Sequence, residues 1–343
     1  MSEPVLEVEN LTVSFPTDEG TVQAVRGVSF SLEPGRVLGI AGESGSGKSV
    51  TSLAIMGLLP RNARVAGSVR FRGQELVGKP DRELAKIRGS HISIIFQDPT
   101  SSLNPVYTVG WQVAEVISEH RDVTKAQAWN RAVELLELVG IPRAAERAKS
   151  YPHEFSGGMQ QRVVIATAMA NDPDVIIADE ATTALDVTVQ AQVLEALKAA
   201  QNETQAAMVF ITHDLGVMAG FADEIMVMYA GKPVEFATVD DIFYAPRMPY
   251  TVGLLASLPR LDTDASEPLR PIPGSPPSLV HLPPGCPFTP RCPLAQAICS
   301  QEEPGLRRVG GEGHLSACHF AEELEGRGEE IFAVTAADAE LHG

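Results

Sequence analysis

The stretch Gly42-Glu43-Ser44-Gly45-Ser46-Gly47-Lys48-Ser49 sets glycines, a lysine and a hydroxyl at the spacing G-x-x-x-x-G-K-S. Residues of these types at this spacing can bind phosphate. Glycine at 42, 45 and 47 permits positive φ and a close approach of backbone to ligand. The N–H groups freed in this way form a concave nest for phosphate oxygens. Lys48 can bridge a β- and a γ-phosphate, and the Ser49 hydroxyl can hold Mg²⁺. The alternative is a glycine-rich turn that binds nothing. The flanks argue against it: Val37-Leu38-Gly39-Ile40-Ala41 is an apolar strand run, and Val50, Leu53, Ala54, Met56 and Leu58 follow with helical spacing. The loop therefore opens a helix, whose unpaired N–H groups and positive dipole end favour an anion.

Three more polar clusters follow apolar runs. Ile92-Ser93-Ile94-Ile95-Phe96 delivers Gln97-Asp98-Pro99, Val175-Ile176-Ile177-Ala178 ends in Asp179-Glu180, and Met208-Val209-Phe210-Ile211 delivers Thr212-His213-Asp214. Continuous apolar runs of this kind are parallel-sheet strands, and ligands bind outside the carboxyl ends of such strands. A lone histidine is more often structural, but His213 tops its strand in the same way as Gln97 and Asp179. Thr183-Ala184-Leu185-Asp186 leads into a helix bearing Val189, Val193, Leu194 and Leu197. In Phe155-Ser156-Gly157-Gly158-Met159-Gln160, Ser156 can cap a helix running through Val163, Ile165, Ala168 and Met169. Two glycines at a helix start cost roughly 1 kcal/mol each against alanine, which makes sense if bare N–H groups must face an anion. Phe15 closes an early strand, either as a core aromatic or as a platform for a purine ring.

The remaining pattern supplies the frame. Residues 4–32 and 66–72 alternate like antiparallel strands, and residues 225–229 and 234–236 read as a hairpin. Thr124 to Val139 reads as a helix with a Thr124/Gln127 capping box, stopped by Gly140 and Pro142, and 144–151 as a second short one. Residues 100–112 read as a loop with unusual apolar and aromatic content. Helices alternating with apolar strands from 37 to 229 indicate an α/β fold with a parallel sheet, and the antiparallel segments add a β-rich layer. Near residue 245 the composition changes: 14 of the 25 prolines fall between Pro246 and Pro304, where only Tyr250–Leu258 reads as a helix. A conventional core is not expected there, so something else should staple it. Residues 321–343 read as a helix end followed by an acidic tail.

The net charge of −17 argues against nucleic acid as the main partner, because phosphate neutralisation needs clustered Lys and Arg. No stretch approaches the roughly 18 apolar residues a membrane span requires, and Met1–Glu7 has neither a basic nor an apolar leader region. A cytoplasmic protein is expected.

With these segments in order, the sequence resembles the ATPase subunit of an ABC transporter over residues 4 to about 240. Gly42–Ser49 matches the phosphate loop, Gln97 the Q-loop, Phe155–Gln160 the signature, Val175–Asp179 with Glu180 the Walker B strand, Ala184–Asp186 the D-loop and His213 the switch histidine. The match narrows to the oligopeptide/dipeptide importer subfamily, which includes nickel importers. It rests on Phe96-Gln97-Asp98-Pro99, Ser102-Leu103-Asn104-Pro105, Tyr151–Met159 and Pro249-Tyr250-Thr251, and extends to about residue 320. The resemblance implies an ABC-type P-loop ATPase at 1–244 with a parallel core sheet, an antiparallel β subdomain and a helical subdomain. A small proline- and cysteine-rich C-terminal region at 245–320 would follow, then the tail at 321–343.

The resemblance also implies roles. Phe15 would stack on adenine; Ser44, Gly45, Ser46, Gly47, Lys48, Ser49 and Val50 would cradle ATP; Ser49, Gln97 and Asp179 would serve Mg²⁺. Glu180 would polarise the attacking water and His213 would contact the γ-phosphate. Ser156, Gly157, Gly158 and Met159 would cap the ATP of a second, related ATPase subunit, with Asp186 in the D-loop. Two transmembrane permease subunits and an extracytoplasmic substrate-binding protein would complete a peptide importer. The chain would lie on the cytoplasmic face of the membrane, and the apolar stretch Leu103–Trp111 would form the docking cleft for a permease helix unless Val106, Tyr107 and Trp111 pack inward. Met159, Gln160 and Met248 depart from residues common among relatives, although Met at 159 is frequent in this subfamily, and none of these departures removes a phosphate, metal or water ligand. Import of nickel or another small solute is the alternative within the family. A soluble ATPase acting on nucleic acid, a redox-sensing protein built on the cysteines and an exporter subunit are weaker ones.

All four cysteines, Cys286, Cys292, Cys299 and Cys318, lie in the C-terminal region. Disulfides are disfavoured in a cytoplasmic protein, which leaves buried thiols or a metal site. The intervening gaps of five, six and eighteen residues match neither common zinc pairs nor the ferredoxin run, so spacing alone does not choose the metal. The resemblance to the peptide-importer subfamily implies a [4Fe–4S] cluster on these cysteines, with zinc as the alternative.

Overall fold

The computed structural model describes residues 3–183, 186–258, 272–311 and 313–326. Its strands, in chain order, are β1 (Leu6–Thr17), β2 (Gly20–Leu32), β3 (Val37–Ala41), β4 (Arg64–Phe71), β5 (Gln74–Glu75), β6 (Ile92–Ile95), β7 (Val175–Asp179), β8 (Ala207–Ile211), β9 (Glu224–Tyr229), β10 (Lys232–Thr238), β11 (Arg307–Arg308) and β12 (Leu315–Ser316). They form two sheets. The antiparallel sheet has the order β2-β1-β4-β5, and the larger one β11-β12-β10-β9-β3-β8-β7-β6. Within the larger sheet β9, β3, β8, β7 and β6 run parallel, while β10 pairs antiparallel with β9.

Period-two alternation sorts the parallel strands between two cores. Ile40, Val175, Ile177, Val209 and Ile211 face the antiparallel sheet and pack with Val8, Val13 and Val28. Ile176, Ala178, Met208 and Phe210 face the opposite way, toward Val163 and Ile165 of the helix Gly157–Ala168 and Val193 and Leu197 of the helix Val187–Thr204. Because the strands are parallel, their carboxyl ends share one edge. Ile95 lies beside Ala178, Asp179 beside Ile211, and Ile211 beside Ile40. Gln97, Glu180, His213 and Gly42 each follow one or two residues after this row.

A helical unit sits between Gln97 and the helix Gly157–Ala168. Its helix Lys125–Leu138 opens on the expected capping box, with Thr124 and Gln127 bonded reciprocally. The expectation of a loop over 100–112 is corrected: Pro99–Ser102 and Val109–His120 are helices. Val109, Val113 and Ile117, four residues apart, are fully buried along one face of the second helix, an amphipathic signal that Gly110 and the outward Trp111 obscured. Only residues 103–108 remain loop.

The C-terminal segment joins the same body. β12 pairs with β10 through Glu235 and Ser316, and Phe288, Ala317 and Leu324 are buried in the helix-side core. His314 lies 2.8 Å from Glu235, both fully buried. The helix Pro249–Ala256 falls where the sequence placed one. The expected tail beyond Gly326 lies outside the described residues. No helix among them is long and apolar enough to cross a membrane.

Candidate active site

The phosphate loop runs from the end of β3 into the helix Lys48–Ile55. Two of its glycines are dictated by packing as well as by positive φ. A Cβ at Gly42 would lie 2.3 Å from the Met228 carbonyl oxygen, and one at Gly47 2.4 Å from that of Ala24. Gly45 meets nothing but has φ +78°. Lys48 is 4 % exposed and folds its Nζ onto the loop, donating to the carbonyls of Gly42 (2.8 Å) and Glu43 (3.1 Å). Burial lowers its pKa, opposed by the carboxylates Glu180, Asp179 and Glu43. The buried Ser46 hydroxyl has no hydrogen-bond partner in the protein, and buried hydroxyls rarely stay unpaired. A loop ligand would satisfy it.

The carboxylates converge on this loop. Ser49 Oγ donates to Asp179 Oδ1 at 2.9 Å and Ser52 Oγ to Oδ2 at 3.0 Å. Burial raises the Asp179 pKa against these two bonds. A buried carboxylate beside a serine hydroxyl is a hard-oxygen donor pair of the kind Mg²⁺ prefers. Glu180 follows in the left-handed region at φ +51°. A non-glycine residue there is uncommon and is held by its N–H bond to Ile211. Its Oε2 accepts from Gln97 Nε2 at 3.0 Å and Thr183 Oγ1 at 3.2 Å, while Oε1 lies 3.8 Å from Lys48 Nζ. His213 Nδ1 is 3.8 Å from Oε2. Glu180, His213, Gly42, Glu43 and Ser44 line one cleft of about 540 Å³.

The other expected site residues lie elsewhere. Phe15 is half-buried on β1, opposite Val22 of the strand that carries Ala24 to Gly47. Ser156 caps the helix Gly157–Ala168, accepting from the Met159 N–H at 3.4 Å, and Met159 Sδ accepts from Arg147. The two glycines serve different ends: Gly157 is open, whereas a Cβ at Gly158 would meet Val189 at 2.2 Å. Close packing of two helices therefore requires the second glycine. Asp186 caps the helix Val187–Thr204 by accepting from Val189 at 3.0 Å; Ala184 and Leu185 lie outside the described residues. Val106, Tyr107 and Trp111 are 69 %, 43 % and 40 % exposed, with the two rings stacked at 4.1 Å. They do not pack inward, whereas Leu103 does.

Cys286, Cys292, Cys299 and Cys318 line a single cavity of about 20 Å³ with Phe288, Leu294 and Phe320. Burial pushes the thiols of Cys292 and Cys318 up to about 12 and about 11, and that of Cys286 upward as well. Four thiols around one cavity are a soft donor set suited to iron–sulfur or zinc. As they stand, no group of three or more His, Cys, Asp or Glu among the described residues is placed to hold a metal ion, and the cavity has room for about one water.

Sequence reading missed four contributors. Ser52 and Thr183 were legible, one helical turn from Ser49 and three residues from Glu180. Arg291, bonded to Glu43, and Tyr250, whose hydroxyl accepts from the Glu43 N–H at 2.8 Å, reach the loop from far along the chain and left no local signal.

A family model described as ABC transporter matches residues 25–183, and one described as Oligopeptide/dipeptide transporter, C-terminal region, matches residues 234–299. The chain is 56 % identical over 325 residues to the oligopeptide transport ATP-binding protein OppD of Mycobacterium tuberculosis, covering 94 % of this chain and 53 % of that one. It thus spans about half the length of that relative. It is 52 % identical over 323 residues to the dipeptide transport ATP-binding protein DppD of Bacillus subtilis, covering 94 % and 96 %. Among solved structures, an ATP-binding cassette dimer in a post-hydrolysis state with ADP and Pi is similar at a TM-score of 0.61 and 28 % identity, covering 68 % of this chain and 98 % of that one.

Proposed function

The chain belongs to the ABC transporter family of ATP-binding subunits, in its oligopeptide/dipeptide branch, and from that premise we propose that it binds and hydrolyses ATP to power peptide import across a membrane. One arrangement carries the reading: Lys48, the Ser49–Asp179 pair, Glu180, Gln97 and His213 meet at one edge of the parallel sheet. Ser44 to Val50 offer backbone N–H groups to the phosphates, and Lys48 turns from its own loop carbonyls to the β- and γ-oxygens. Phe15 offers its half-exposed ring to the base. Ser49, Asp179 and Gln97 would hold Mg²⁺, which when bound supplies charge neutralisation at the phosphates. Glu180, fixed through Oε2 by Gln97 and Thr183, accepts a hydrogen bond from the attacking water. His213 reaches the γ-phosphate. Positioning of this kind accounts for most of phosphoryl-transfer catalysis.

Ser156 to Met159 and Asp186 are assigned to a partner site: the signature cap of a second, related ATPase subunit's nucleotide. The ATPase pair would lie beneath two permease subunits, with Val106, Tyr107 and Trp111 helping to form the docking cleft for a helix of one of them, and an extracytoplasmic binding protein would select the cargo. Peptide is favoured over nickel or another solute by the names of the matched relatives. The nucleic-acid ATPase alternative is disfavoured because no helix between Gln97 and Phe155 exceeds 14 residues. For the four cysteines a [4Fe–4S] cluster is proposed, with zinc as the alternative. Their convergence on one cavity supports a shared group. The test is reconstitution of the whole transporter in vesicles. Peptide-loaded binding protein should stimulate ATP hydrolysis and peptide uptake; stimulation by nickel but not peptide would replace the cargo assignment, and absence of ATP binding would remove the function.

A further inference from the structure

Glu43 is an unusual neighbour for a triphosphate. It holds the second position of the phosphate loop, and it lines the same cleft as Ser44, Glu180 and His213. A free carboxylate there would repel the incoming phosphates. Arg291 answers it from 248 residues away: Nη1 donates to Glu43 Oε2 at 2.6 Å and Nη2 to Oε1 at 2.8 Å, a bidentate pair. Arg291 is 6 % exposed, and its other donors are also used. Nε donates to the Pro273 carbonyl at 2.8 Å, Nη1 to the Tyr229 hydroxyl at 3.3 Å, and Nη2 to the Ile272 carbonyl at 3.4 Å. The guanidinium carbon lies 5.8 Å and 5.9 Å from the ring centres of Tyr229 and Phe288. Glu43 is held by its backbone too. Its N–H donates to the Tyr250 hydroxyl, and its carbonyl accepts from Lys48 and from the Ser46 N–H. Arg291 itself sits on the turn Thr289–Arg291, between Cys286 and Cys292.

A buried ion pair adds little net stability over an apolar substitute, so a simple strut would not need this charge. We propose that Arg291 is a positioning residue for the ATP site: it neutralises Glu43 and holds it against the C-terminal segment, so that the phosphate loop accepts ATP. The inference rests on the ATPase reading. It makes the cysteine-bearing segment a part of the nucleotide site, so nucleotide affinity depends on the order of that segment.

The test compares Arg291→Met, Glu43→Gln and the double variant in the assembled transporter, by ATP affinity and by steady-state hydrolysis. Arg291→Met is expected to raise KM for ATP about fivefold or more with kcat within about twofold, the signature of lost binding. Adding Glu43→Gln should recover most of that loss, because the repelling charge is gone. An unchanged KM in Arg291→Met overturns the inference, as does a raised KM that the second substitution leaves in place, which is what a packing strut would give. If Arg291→Met does not fold, Arg291→Gln takes its place, alone and with Glu43→Gln, and is read by the same two outcomes. A parent transporter that binds no ATP removes the proposed function as well; one that turns over ATP while the variants behave as for a strut removes this inference alone.

Discussion

Gln97 donates its side-chain amide to Glu180 Oε2 at 3.0 Å, sharing that oxygen with Thr183. The bond joins two distant surfaces. Glu180 tops β7 beside the phosphate loop, while Gln97 begins the segment that surfaces at Val106, Tyr107 and Trp111. Five residues separate Gln97 from buried Leu103, and the exposed patch begins three residues further on at Val106. A displacement of the patch therefore has a short covalent path to the partner of Glu180, the carboxylate proposed to polarise water.

Charge placed on the patch should uncouple transport. Val106→Glu with Tyr107→Glu is expected to lower peptide uptake at least about tenfold, since a charge desolvated without a partner costs more than the roughly 1.4 kcal/mol this requires. ATP affinity should stay at the parent value, because neither residue lines the nucleotide cleft. Uptake and assembly at parent levels would remove the docking role.

Asp179, proposed as a Mg²⁺ ligand, is set against stability. Burial raises its pKa, so the folded chain holds that proton more tightly than the unfolded chain. The associated stability is present at low pH and is lost as pH rises through the folded-state value. Asp179→Asn should therefore raise Tm in EDTA at neutral pH by about 2 °C or more, with the advantage shrinking toward acid, where Asp179 is already neutral. Hydrolysis should fall sharply in the same variant. Thermal scans at several pH values decide it; a lower Tm at neutral pH would show the carboxylate to be net stabilising.

The cysteine cavity gives a compositional test. Anaerobically purified protein should carry about four irons per chain, and Cys292→Ser should lose them together with protease resistance around residues 286–318. Stoichiometric zinc without iron would assign a zinc site, and no metal in either form would leave four free thiols, one buried and three partly buried.

Much of this site could be read from sequence because the parallel sheet converts sequence position into place. Apolar runs ending at Ala41, Ile95, Asp179 and Ile211 are held in register, so whatever follows each run arrives at one edge. The Thr124/Gln127 capping box was equally local. Contacts set by tertiary packing were not legible. Nothing near Arg291 points to Glu43, and Gly158 looks like an anion-facing glycine until Val189 is seen against it. The helix Val109–His120 was missed because its exposed side carries Trp111, so that the buried stripe of Val109, Val113 and Ile117 did not stand out. The cavity shared by the cysteines depends on the turns of a proline-rich segment, whose course has no periodicity to read.

The most direct test of the catalytic assignment is ATP turnover by Glu180→Gln in a complex with no other competent site. The amide keeps the shape of the side chain but removes the charge that polarises water. ATP binding should remain, and kcat should fall at least about a hundredfold, roughly 2.7 kcal/mol in the barrier. Turnover within a few-fold of the parent would contradict the role assigned to Glu180 and the mechanism built around it.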